Sequence, residues 1–187
     1  MSRWLARQVA CPALLVLAFG APDVLAHALP GSVLVLQQQG AELQFTIQFP
    51  LEDLIIAAPD LAALQELKPD QPLPQALAVR FAAYLRQHFS VSEEGVERVP
   101  VLSGARIQSA YHDHLGRYLL LVSRWQLVTA QSPPGRLSLH YDAVMHEVRN
   151  HRATVQRLLP DGKVRTIAEF GFYGAADGVA LSRSGKE

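Results

Sequence analysis

The chain has 187 residues, with 17 basic and 17 acidic side chains, seven histidines and one cysteine. Its basic residues are scattered singly, with no stripe and no aromatic interleaving, which argues against a surface built to grip nucleic acid. The length suits one domain with a real hydrophobic core, and a lone cysteine, Cys11, excludes an internal disulfide.

The first 26 residues read as an export signal. Arg3 and Arg7 give a basic start, residues 13–21 an apolar stretch, and Val24-Leu25-Ala26 the small or branched residues that signal peptidase requires, so cleavage is expected before His27. Pro12 and Pro22 bracket a run shorter than the roughly 20 apolar residues that span a bilayer, and no later stretch is longer. The mature chain is therefore expected in the periplasm without a transmembrane helix. Removal of the leader takes Cys11 with it and leaves about 160 residues with a net charge of about −1.

Residues 32–38 read as a strand, Gly40-Ala41 as a turn, and residues 42–49 as a second strand. In the second, Leu43, Phe45, Ile47 and Phe49 alternate with polar residues, the period of a sheet with one buried face. Pro50 opens a short helix with Leu51, Leu54 and Ile55 on one side, and Asp60 is expected to cap a turn carrying Leu61, Leu64 and Leu67. Residues 68–74, with three prolines, read as loop. From Gln75 a helix follows, with Leu77, Phe81, Tyr84, Leu85 and His88 on one stripe. Strands are then expected over residues 96–102, 105–111, 117–128, 136–143, 152–159 and 164–170, with Pro100 confining its strand to an edge. The predicted architecture is one mostly-β domain over residues 27–174. It is a β-sandwich of immunoglobulin-like character with a helical insert at about residues 51–89, and residues 175–187 form a flexible tail.

Histidines carry the candidate chemistry. His146 and His151 enclose a sequence like a zinc-protease helix, but their spacing of five turns them about 140° apart on a helix, so Glu147 is not expected to act as a zinc-protease base. If residues 147–150 form a hairpin loop, the two face each other across it with Cβ atoms about 5 Å apart. They then hold a metal ion or serve as a polar pair. A terminal His27 offers α-amine and ring nitrogens together, so His27, His146 and His151 form one candidate site for copper, nickel or cobalt. His112 and His114 flank Asp113 at a turn and form a second metal candidate, with a solvated turn as the competing reading. His140 and Asp142 share the polar face of a strand, and His88 reads as packing. Glu52-Asp53 and Glu93-Glu94 read as solvated acidic pairs. No nucleophile elbow, phosphate loop or cysteine nucleophile is present, and a hydrolase with an unrecognised site remains the third class of function.

Several segments together carry a family resemblance: Ala26-His27, the strand 32–36, Phe49-Pro50-Leu51-Glu52-Asp53-Leu54, and Tyr141-Asp142 followed by His146 and His151. Over residues 27 to about 160 the chain resembles the extracytoplasmic amino-terminal region of bacterial HupE/UreJ-like proteins. The resemblance implies an exported β domain that works beside a helical membrane portion associated with nickel or cobalt handling, a portion without counterpart in these residues. The expected role is a non-enzymatic binding or accessory domain with a membrane-protein partner. A periplasmic transition-metal binder is the alternative.

Overall fold

A computed structural model describes residues 30–132, 134–172 and 178–181. Ten strands and two α-helices follow in order: β1 (Ser32–Gln39), β2 (Glu42–Pro50), α1 (Leu51–Ala57), a 3₁₀ helix (Pro59–Glu66), α2 (Gln75–His88), β3 (Phe89–Glu93), β4 (Val96–Arg98), β5 (Val101–His112), β6 (Gly116–Val128), β7 (Leu137–Tyr141), β8 (Arg152–Leu158), β9 (Val164–Gly171) and β10 (Val179–Ala180). The fold is mostly β with a short helical insert, as expected.

The described strands form two sheets, ordered β5-β6-β2-β1-β8-β9 and β10-β7-β3-β4. Pairing is antiparallel except between β1 and β8, which run parallel with Ser32 opposite Ala153. The alternation in β2 is realised in full, since Leu43, Phe45, Ile47 and Phe49 are all buried. Their rings meet those of the smaller sheet. Phe45 packs edge-on against Phe89 at 5.2 Å, Phe89 lies 5.9 Å from Trp125, and Phe49 stacks on Tyr141 at 6.5 Å. Phe81 of α2 enters the same core, edge-on to Phe49 and Trp125, which packs the helix against the larger sheet.

The proline-rich loop after the 3₁₀ helix runs along the outer strand of the larger sheet. Asp70 N–H donates to the Ile107 carbonyl, Leu73 N–H donates to that of Ala105, and Pro72 bridges Arg106. This covers part of an edge that would otherwise expose backbone donors and acceptors.

Five local features differ from those expected. The strand Phe89–Glu93 follows α2 directly, because Phe89 and Val91 bury on the core that α2 also covers. Residues 101–112 form one strand, not two: Gly104 lies at a register shift in the pairing with β6 rather than in a turn. Pro100 lies between β4 and β5, where the chain passes from one sheet to the other. The 3₁₀ helix starts from Ala58 with Pro59 in its first turn, and Asp60 makes no capping bond. In the expected flexible tail, Val179–Ala180 pairs with β7 and Leu181 is buried; residues 173–177 and 182–187 lie outside the described part.

Candidate functional site

The segment from Asp142 to His151 links β7 of the smaller sheet to β8 of the larger one. The expected hairpin between His146 and His151 is therefore absent. The two strands belong to different sheets, and the intervening residues turn in helical fashion, with His146 N–H donating to the Asp142 carbonyl and Val148 N–H to that of Val144. Each histidine joins a separate polar cluster.

The first cluster forms where this segment meets the last turns of α2. Tyr84 and His88, four residues apart, share one helix face. His88 Nδ1 lies 2.8 Å from Asp142 Oδ1, and the His88 ring stacks on that of His146 with centroids 4.0 Å apart and planes 11° from parallel. Tyr84 Oη lies 3.2 Å from His146 Nε2 and accepts the Val144 N–H at 2.9 Å. While accepting the Val144 N–H, the phenol can donate its own hydrogen to Nε2, an arrangement in which the His146 proton sits on Nδ1, 3.7 Å from Glu147 Oε1.

Val144 has φ 68°, the left-handed region that a β-branched side chain avoids. Burial of Ala143, Val144 and Met145 together with the bond to Tyr84 holds it there. Such strain costs about 1–3 kcal/mol and concentrates at functional positions.

Electrostatics follow from this contact. Burial and then the neighbouring His88 lower the His146 pKa below its ordinary 6.5, against the pull of Asp142 and Glu147. Burial alone would raise Asp142, but the His88 hydrogen bond, with the charges of His88, His140 and His146, takes it below the ordinary 3.8. Burial pushes the Tyr84 phenol up to about 12, the Val144 N–H acting in the other direction. At neutral pH the cluster therefore holds a neutral phenol, a neutral His146 and a carboxylate, all partly open to solvent.

The second cluster is sealed. His151 has no side-chain exposure, and Ser32 is fully buried. His151 Nδ1 lies 2.7 Å from Asp53 Oδ2, while Nε2 accepts the Ser32 N–H at 3.1 Å and sits 2.8 Å from Ser32 Oγ. The backbone bond makes Nε2 the unprotonated nitrogen, so Nδ1–H donates to the carboxylate. The Tyr141 hydroxyl is buried nearby; burial drives its pKa far up, with the Ser32 side chain opposing. Gly31 sits so close to the Arg152 carbonyl that a β-carbon there would collide with it.

The sequence-derived candidates are thus dispersed. His27 lies outside the described residues. His112 and His114 stand exposed at the β5–β6 turn with rings 5.7 Å apart, and His114 N–H donates to His112 Nδ1. Among the described residues no three histidine, cysteine or carboxylate side chains are grouped so that they hold a metal. His88, read as packing, instead pairs with Asp142, and Asp53, read as solvated, supports a buried imidazole. The i, i+4 placement of Tyr84 and His88 was a visible signal for the first. Nothing in the spacing of residues 32, 53 and 151 announces the second. No family model matches the chain, and no curated protein matches it either.

Proposed function

We propose that this chain is an exported, non-enzymatic binding or accessory domain that engages a membrane-protein partner through Tyr84, His88, Asp142 and His146. The observation that carries this reading is the strained, buried Val144 turn, which holds a partly exposed array of aromatic and ionisable groups in one arrangement. Stacked imidazoles, a phenol and a carboxylate offer flat surfaces and directional hydrogen bonds, which suits recognition of a polar peptide segment. The leader-like residues 1–26 and the resemblance to HupE/UreJ-like extracytoplasmic regions support export and a membrane partner. Burial of Ser32 and His151 keeps outside substrates from the Ser–His–Asp array, which supports binding over turnover.

The test immobilises the mature protein and a His88→Ala/His146→Ala variant of matched folding, and passes detergent-solubilised membranes of the source bacterium over both. The reading expects a membrane protein retained by the wild type and released by the variant. Identical retention by the two, or none by either, contradicts it.

A further inference from the structure

Ser32 presents two of its atoms to one nitrogen. Its Oγ is 2.8 Å and its backbone N 3.1 Å from His151 Nε2, and on the far side of the ring Nδ1–H donates to Asp53 Oδ2 at 2.7 Å. A hydroxyl, an imidazole and a carboxylate in this order make up acyl-transfer machinery. No outside acyl donor reaches a fully buried serine. One acyl group is nevertheless within reach by covalent connection: the Gly31 carbonyl, bonded to the Ser32 nitrogen. Holding nucleophile and electrophile in one chain removes the entropic cost of bringing them together. The geometry also meets a need particular to this bond, since the leaving atom is the Ser32 nitrogen and the nitrogen of His151 already touches it.

We propose that the protein cleaves its own backbone between Gly31 and Ser32. Ser32 Oγ adds to the Gly31 carbonyl carbon while His151 Nε2 takes the hydroxyl proton. The C–N bond then breaks as the same Nε2 delivers that proton to the departing Ser32 nitrogen, leaving Gly31 as an ester on Oγ. One water molecule hydrolyses the ester, giving a Gly31 carboxylate, a restored Ser32 hydroxyl and a new α-amine at Ser32. His151 is catalytic because it touches both reacting atoms. Asp53 is a positioning residue: by accepting Nδ1–H it keeps the Nε2 lone pair turned toward Ser32. The event occurs once per chain and detaches the residues before β1, His27 among them. It is independent of the partner surface proposed above, which lies in the other cluster.

The experiment incubates the purified full chain at neutral pH and follows it by intact mass and amino-terminal sequencing. Expected is a product beginning at Ser32, formed with a first-order rate that does not change with protein concentration. Hydroxylamine should accelerate it and leave a hydroxamate on Gly31, the mark of an ester. Ser32→Ala, which keeps the strand and loses only the nucleophile, should abolish the product, and Ser32→Cys should restore cleavage through a thioester. Asp53→Asn should slow the reaction on the order of 10⁴-fold and displace its pH–rate profile, a change that a merely structural role would not produce. Thermal unfolding of each variant establishes that it is folded. A folded wild type that stays intact at this bond in hydroxylamine overturns the proposal, as does a Ser32→Ala variant that yields the same product.

Discussion

Truncating Phe45 to alanine tests how the two sheets are joined. Phe45 is 1% exposed, lies between Leu36 and Trp125 in the register of the larger sheet, and drives its ring edge into Phe89 of the smaller one. Losing a fully buried phenyl group costs about 3–5 kcal/mol, including the cavity left behind, and the edge-on pair accounts for roughly 0.5–1.5 kcal/mol beyond area burial. A domain of this size is stable by only about 5–15 kcal/mol, so the loss is a large share of the total. At roughly 2–4 °C per kcal/mol, the midpoint should fall by about 6–20 °C. Urea unfolding followed by tryptophan fluorescence is a suitable assay, since Trp125 packs 5.9 Å from Phe89. Gln44→Ala, on the opposite face of the same strand, should change stability by no more than about 0.5 kcal/mol. Equal losses for the two variants would refute the assignment of the buried face.

Four further outcomes follow from the site and its surroundings. The folded pKa of His146 lies below the unfolded 6.5, so the unfolded chain binds this proton first. Its stabilising contribution is whole above pH 6.5 and drains as the pH falls from there toward the folded value; His146→Gln should flatten this part of a stability-versus-pH curve. The folded pKa of Asp142 is likewise below its ordinary 3.8, so its contribution is present above that pH and is lost as the pH falls through the folded value, a decline that should be absent from Asp142→Asn. Asp53→Ala, which leaves the Nδ1–H of a buried imidazole without its acceptor, should destabilise by about 1–3 kcal/mol, whereas the exposed neighbour Glu52→Ala should change little; equal effects in urea unfolding would contradict the array around His151. Leu181→Ala should cost about 2–5 kcal/mol, and no change would mean that the stretch after Gly178 does not dock on the core.

The strands that alternate strictly were legible because period 2 needs no partner to be read. Leu43, Phe45, Ile47 and Phe49 declare the core face whatever lies opposite. Phe89–Glu93 was missed because its burial depends on α2 and β7, and Leu181 because one apolar residue in a glycine-rich stretch carries no period. The candidate site was half legible. His146, His151 and Asp142 point to chemistry by residue type, but their partners are set by topology. Passage of the chain from β7 to β8 sends His146 toward α2 and His151 toward β1 and α1, and no reading of residues 146–151 alone separates the two. Asp53 shows the same limit, since an acidic residue in the first turn of a helix looks solvated until the segment entering β8 delivers an imidazole to it.

The most direct test of the proposed function places a photo-crosslinking residue at Glu147, an exposed position adjoining His146, in cells that export the protein. A second probe at Val164, 53% exposed on the outer strand β9, serves as the comparison. Expected is an adduct with a membrane protein from Glu147 that disappears in a His88→Ala background, and no such adduct from Val164. The same adducts from both positions, or none from Glu147, would contradict it.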